Sequence, residues 1–291
     1  KKGTVPTKAF EHSIPDWLVE TLEKELGENW EKEMIALNEQ APTILRANSL
    51  KTSTKHLIEE LKHENVESFQ VPGFENAVQL EEKKNVFLTS AFKDGFFEVQ
   101  DAGSQKIGEF LDVKPGMRVV DACAGAGGKT LHLAALMENK GQIIAMDIHG
   151  WKLAELKRRA KRAGAHNIET REITDNKVIK RLHEKADRLL IDAPCSGLGV
   201  LKRNPDSKWK IDQDFIDRIR KEQETILQDY SKIIKKGGKM VYATCSILPS
   251  ENNEQVENFL KNNPDFKLVK EEKVMPSTGF DGFYMALIER V

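Results

Sequence analysis

Two cysteines each stand before a serine, in Asp192-Ala-Pro-Cys195-Ser196 and in Thr244-Cys245-Ser246, and each closes an apolar run of strand length. A thiolate attacks electron-poor carbon readily, and a second thiol beside it can serve a later proton-transfer step. One reaction fits such a pair. C5 of cytosine is too weak a nucleophile to take a methyl group from a sulfonium unaided. Thiolate addition at C6 turns the ring into an enamine-like nucleophile that can. Negative charge then develops at N3, where a carboxyl group must give a proton or a strong hydrogen bond, and Asp192 is placed to do so. A base must finally take the C5 proton so that the thiol can leave. For a single cysteine the ordinary reading is a small buried apolar side chain. Two at consecutive strand ends, each followed by serine, weaken that reading, whereas Cys123, inside a Gly-rich turn, keeps it. These residues alone leave open which of Cys195 and Cys245 attacks. Amine methylation typically uses an aromatic residue after Asp/Asn-Pro-Pro for the base to stack on; Asp192-Ala-Pro-Cys195 lacks it, which disfavours that chemistry.

A methyl donor needs its own site. Asp121-Ala-Cys-Ala-Gly-Ala-Gly-Gly-Lys-Thr130 follows an apolar strand and opens a helix. Gly125, Gly127 and Gly128 permit positive φ and let backbone approach a ligand, and the helix start offers unpaired N–H groups to a carboxylate. A P-loop would need glycine where Cys123 stands, and a dinucleotide fingerprint would need glycine at Thr130, so both fail. Asp147 ends the second strand, where a carboxylate can accept from both hydroxyls of a ribose. Asp175 follows the third, where an adenine amino group would lie. The pattern is that of an adenosine ligand; the two cysteines make it the donor of a methyl group.

The elements that must position these residues are legible as periodicities. Residues 1–40 form a helical segment, with Asp16–Asn38 reading as one helix. Residues 41–94 read as a small α+β module: strands at Thr43–Asn48, Val66–Val71, Ala77–Leu80 and Val86–Leu88, and a helix at Thr54–His63. From 95 to 291 strands and helices alternate. Strands are predicted at Met117–Asp121, Ile143–Asp147, Ile168–Ile173, Arg188–Asp192 and Gly238–Thr244, with an antiparallel one at Phe283–Glu289. Helices are predicted at Lys129–Met137, over the basic run Trp151–Arg162, and at Gln213–Lys235. This alternation predicts an α/β fold with a doubly wound, mostly parallel sheet, whose ligands bind beyond the carboxyl ends of the strands.

The 291 residues carry 45 Lys and Arg against 46 Asp and Glu, a balance that neither requires nor excludes nucleic acid. The three cysteines are scattered, with no metal-ligand spacing, and no apolar run reaches the ~20 residues of a membrane span. The expectation is a cytoplasmic, monomeric protein with neither metal nor membrane. Lys202, Arg203 and Lys208 are candidate phosphate contacts, and Trp209 is expected to pack against the helix that follows it.

The segments DACAGAGGKT (121–130), DAPCSGLGVLKRNPD (192–206), YATCSILPSENNEQV (242–256) and FDGFYMALIER (280–290) resemble the Nol/Nop/Sun family of RNA 5-methylcytosine methyltransferases. PTILRANSLK (42–51) resembles the start of that family's small RNA-recognition module. The resemblance implies a Rossmann-like methyltransferase domain, S-adenosylmethionine as cofactor and RNA as partner, small-subunit ribosomal RNA first among candidates. It implies Cys245 as nucleophile and Cys195 as the group that assists breakdown of the adduct. It also implies that Cys123, Ala124, Gly125, Ala126, Gly127, Gly128, Lys129, Asp147, Asp175 and Asp192 line the cofactor and base pocket. The family's loop more often reads Ala-Pro-Gly-Gly-Lys; without the proline this loop is more flexible. Transfer RNA is an alternative substrate. A DNA cytosine methyltransferase using Cys195, or a silent RNA-binding assembly factor, stands further off. The chain opens on Lys, which leaves room for the upstream helical domain that several bacterial members carry.

Overall fold

The computed structural model describes residues 7–291; the first six residues of the expected 1–40 segment lie outside these. Four short strands, β1 (Ile44–Ala47), β2 (Ser68–Gln70), β3 (Ala77–Leu80) and β4 (Phe97–Val99), form an antiparallel sheet in the order β2-β3-β1-β4. Helix Thr54–His63, capped by the Ser53 side chain, lays Leu57 and Leu61 on this sheet. The fourth strand lies past the boundary expected at residue 94. Val86–Leu88 is a single 3₁₀ turn rather than a strand. Asn85 caps that turn through the Phe87 amide, and Val86 alone is buried while Phe87 and Leu88 face solvent, so no strand alternation exists.

Seven strands make the second sheet: β5 (Arg118–Asp121), β6 (Gln142–Asp147), β7 (Ile168–Glu172), β8 (Ala186–Asp192), β9 (Ile234–Thr244), β10 (Phe266–Val274) and β11 (Phe283–Arg290). Their order is β10-β11-β9-β8-β5-β6-β7, with β5 to β9 parallel and β10 and β11 antiparallel. Period-2 alternation sends Val119, Ile143, Ala145, Leu190 and Val241 to one face, under helices Ala102–Phe110, Gly128–Leu136 and Gly150–Ala163. Val120, Ile144, Met146, Leu189 and Tyr242 go to the other, under helices Gln213–Tyr230 and Asn253–Asn262. Helix Gln213–Tyr230 stops short of the expected Lys235 because a 3₁₀ turn, Ser231–Ile233, feeds directly into β9. None of the described helices is long and apolar enough to cross a membrane.

The expected helix Asp16–Asn38 is broken at Gly27, whose φ of 56° ends Asp16–Leu26 before Trp30–Leu37 begins. These two helices do not pack on the small sheet. Leu18, Leu22, Trp30, Met34 and Leu37 instead form a cluster with Leu198 and Leu201 from the loop after β8 and Ile247 and Leu248 from the loop after β9. Each large apolar side chain so buried contributes about 1.5–3 kcal/mol. The loops that carry both cysteines are therefore held from outside by the N-terminal helices.

Candidate active site

The Gly-rich turn after β5 is shaped by two glycines in left-handed backbone, Gly125 at φ 56° and Gly127 at φ 89°. Gly127 caps helix Gly128–Leu136, and a Cβ there would lie 2.5 Å from Leu156 Cγ. The turn is tied to β6 by Asp147, whose carboxylate accepts from the amides of Gly125 (2.9 Å) and His149 (2.8 Å). Asp121, buried, accepts from the Thr130 hydroxyl at 2.7 Å, and burial pushes its pKa up to about 7. Two cavities flank the turn. One, of about 280 Å³, lies between Gly125, Asp147, Ile148, Ile173 and Tyr230. The other, of about 260 Å³, lies between Gln100, Asp121, Ala124, Ala126, Gly128 and Lys129. Cys123 and Asp192 line both. Burial, reinforced by Asp121, pushes the Cys123 thiol pKa well up, which keeps it a neutral packing group.

Asp175 is placed differently. It caps helix Asn176–Lys180 by accepting from the Lys177 amide at 2.7 Å, is exposed, and is not among the residues that line either cavity. The first cavity is lined past the ends of β6 and β7 by two apolar side chains, Ile148 and Ile173. Ile148 and Ile173 each stand one residue beyond the end of a strand, which is the signal that could have found them.

Because β8 and β9 are neighbours in parallel register, the residues after them converge. Cys195 Sγ and Cys245 Sγ are 3.2 Å apart. Lys129 donates from Nζ to Asp192 Oδ2 over 2.6 Å at the end of β8, three residues before Cys195. The contact with Cys245, then burial, pushes the Cys195 thiol pKa well up, so this thiol stays protonated at neutral pH. Burial alone would lower the pKa of Lys129, but Asp192 more than offsets it and the ammonium is stabilised.

Sequence reasoning missed a set of contacts from outside the sheet. Arg46 of the small module, within the PTILRANSLK segment, is buried and donates to the Gly128 carbonyl at 2.7 Å and to Gln100. From the opposite side Arg159 donates to the Ala126 carbonyl at 2.8 Å and to Glu98 of β4 at 2.9 Å. Arg162 also reaches Glu98, at 2.5 Å. The basic run Trp151–Arg162 thus turns two of its cations inward, onto the small module. Its turn-supporting Arg159 holds a loop that lacks the usual proline.

Lys202, Arg203 and Lys208 are not placed as phosphate contacts. The Lys202 side chain is only 2% exposed, Arg203 pairs with the buried Asp101 and Asp281, and Lys208 points toward Asn38 from a buried position. Desolvation pushes the Lys208 pKa down, as a buried ammonium requires. Trp209 does not pack under its helix; it is 57% exposed.

The model of the family described as 16S rRNA methyltransferase RsmB/F matches residues 109–288, and the RsmF/B-like ferredoxin-like domain matches residues 14–87. The chain belongs to the RsmB/F methyltransferase family. Membership gives the two sheets their names: a Rossmann-like methyltransferase domain and a ferredoxin-like module. The probable ribosomal RNA small subunit methyltransferase B of Synechocystis sp. is 36% identical over 261 residues, 88% of this chain and 58% of that protein. Ribosomal RNA small subunit methyltransferase B of Proteus mirabilis is 33% identical over 279 residues, 95% of this chain and 65% of that protein. The chain therefore spans about three fifths of the length of these relatives (58% and 65%). The crystal structure of PH0851 superposes with a TM-score of 0.93 at 31% identity, covering 99% of this chain and 70% of that one. NSun6 from Pyrococcus horikoshii, solved with SFG, shares the fold at a TM-score of 0.88 and 22% identity, covering 96% of this chain and 99% of that one.

Proposed function

We propose that this chain transfers a methyl group from S-adenosylmethionine to C5 of a cytosine in RNA, small-subunit ribosomal RNA being the substrate its family points to. The observation that carries the reading is the 3.2 Å contact between Cys195 and Cys245 on the loops that follow β8 and β9, with the Lys129–Asp192 pair at the end of β8. The two cavities around the Gly-rich turn fit the cofactor. Asp147 has a second lone pair free on each oxygen for ribose hydroxyls, Ile148 and Ile173 offer an apolar slot for a purine, and the start of helix Gly128–Leu136 suits a carboxylate. When bound, S-adenosylmethionine supplies an electrophilic methyl group.

The protein does the rest. Cys245 adds as thiolate to C6 of the base, and the C5=C6 electron pair shifts toward C4 and N3. N3 must take up a proton as this shift develops; Asp192 is the carboxyl group that passes it there, and Lys129 holds that carboxyl in place. C5 takes the methyl group as the electrons return, and N3 gives its proton back to Asp192. A base then removes the C5 proton, its electron pair re-forms C5=C6, and Cys245 leaves as thiolate. Cys195, which touches Cys245, assists this last stage.

The test is to incubate the chain with S-adenosylmethionine and unmodified small-subunit ribosomal RNA, then quantify 5-methylcytidine in the digest. The native chain is expected to make it, and Cys245→Ala to make none. Cys195→Ala is expected to leave RNA joined covalently to the protein on a denaturing gel. Label on DNA but not on RNA, or full activity in Cys245→Ala, would overturn the reading.

A further inference from the structure

The serine that follows each cysteine has a destination in this fold. Both hydroxyls end on one carboxylate, that of Glu251, which is completely buried. Ser196 donates to Glu251 Oε2 at 2.6 Å, and Ser246 donates to the same oxygen. Glu251 Oε1 accepts from the Ser196 amide at 2.8 Å and from the Gln223 side chain at 3.1 Å. Gln223, also buried, gives a second hydrogen bond to the Pro194 carbonyl at 2.9 Å. Tyr242 holds the Glu251 backbone by donating to its carbonyl at 2.7 Å. These four donors satisfy both oxygens of the buried carboxyl group, and removing them would leave buried oxygen atoms without partners.

The consequence is geometric. The two serine hydroxyls are drawn to 3.3 Å of each other, and the residues immediately before them are the two cysteines. Ser196 lies in the loop after β8 and Ser246 in the loop after β9, so nothing in the sheet ladder itself dictates how these loops meet. Apolar packing against the N-terminal helices limits the space but does not direct the sulfur atoms. A single rigid acceptor shared by both loops does.

We propose that Glu251 is a positioning residue for the reaction: its buried carboxylate clamps Ser196 to Ser246 and thereby holds the thiols of Cys195 and Cys245 in contact. Its part in catalysis rests on the methyl-transfer reading; the clamp itself does not. Without the clamp Cys245 still attacks, but Cys195 is no longer beside the adduct it must help to resolve.

Dibromobimane becomes fluorescent only when both of its ends have alkylated thiols, so it reads the Cys195–Cys245 pair without RNA or cofactor. On the full chain the native protein is expected to become fluorescent, and Cys195→Ala and Cys245→Ala are not. Glu251→Gln is expected to lower the cross-linking rate at least tenfold. Leu57→Ala, a buried change in the small module, is expected to leave the rate unchanged, which separates positioning from general loss of stability. With RNA and S-adenosylmethionine, Glu251→Gln is expected to accumulate the covalent protein–RNA complex as Cys195→Ala does. Cross-linking of Glu251→Gln at the native rate overturns the proposal, whatever the methylation assay gives. Should Glu251→Gln fail to melt cooperatively, the double variant Ser196→Ala, Ser246→Ala removes the two hydroxyl donors and is held to the same tenfold criterion. Lost cross-linking together with no 5-methylcytidine from the native chain would retire the reaction and leave the clamp standing.

Discussion

The amide of Gly199 donates to the carbonyl of Cys245 over 2.9 Å, so the loop after β8 supports the backbone of the proposed nucleophile directly. A Cβ at 199 would lie 2.2 Å from the Gly282 carbonyl oxygen and 2.8 Å from that of Cys245, and both obstacles are backbone. Gly199→Ala must therefore displace Cys245. A misplacement on the order of 1 Å at a reacting group costs about 100-fold in rate. Single-turnover formation of 5-methylcytidine should fall by about that factor, while cofactor affinity measured by calorimetry stays near the native value. Unchanged turnover would show that Cys245 tolerates the shift.

Lys129 and Asp192 form a contact of 2.6 Å with both side chains largely shielded, at 14% and 29% exposure. Lys129→Met leaves the carboxylate without its partner and free to rotate away from the base. The expected loss is about 100-fold in kcat, the lower end of what one positioned acid–base group supplies. Asp192→Asn should lose at least as much, because an amide cannot deliver the proton. If both variants keep native kcat, N3 is served by another group.

Glu98 gathers Arg159 and Arg162 at a nearly buried carboxylate, 5% exposed, and Arg159 goes on to the Ala126 carbonyl in the cofactor turn. Glu98→Gln removes the charge that both guanidinium groups answer. A destabilisation of about 3 kcal/mol is expected, in the range for breaking a buried ion pair from one side. Urea denaturation reads this. S-adenosylmethionine should also bind more weakly to Glu98→Gln, since the proline-free turn loses the orientation of Arg159. Native affinity with reduced stability would confine the contact to a purely structural role.

Asp121 makes a prediction about pH. Its pKa in the folded protein is about 7, raised by burial above the ordinary value of about 3.9. The folded state therefore binds this proton more tightly than the unfolded chain. Its contribution to stability is fully present below about pH 4 and is lost as pH rises to about 7. Asp281, pushed up to about 6 chiefly by burial, acts in the same direction and is common to both proteins compared. Thermal melts of native protein and Asp121→Asn from pH 5 to pH 8 should show the variant gaining on the native by a few kcal/mol, on the order of 1.4 kcal/mol per pH unit. A difference constant across that range would place the titration elsewhere.

Much of the scaffold was legible because it is written in local periodicities. Strands β5, β6 and β8 and the helices after β5 and β6 emerge within a residue or two of their expected ends, since apolar runs and capping residues act over a few positions. Strand β10, Phe266–Val274, was missed for the same reason: it is a sheet edge whose side chains are mostly charged and exposed, so it carries no core-facing pattern. Val86–Leu88 looked like a strand by composition, but side-chain caps at Asn85 and Thr89 decided the backbone instead.

The site divides along the same line. By itself the sequence determined the elements that end in chemistry: a glycine-rich turn after one strand, acids after the next two, and a cysteine before a serine after each of the last two parallel strands. Those are properties of short segments, where residue type and its distance from a strand end suffice. Only the tertiary structure decided which of these groups meet. It set Cys195 against Cys245 across 50 positions of chain, tied Ser196 and Ser246 to Glu251, and left Asp175 capping a helix outside the cavities. It also turned Lys202, Arg203 and Lys208 inward, although charged side chains ordinarily face water. Burial and pairing depend on sheet order and on helices that arrive from elsewhere in the chain, and no window of sequence holds both partners.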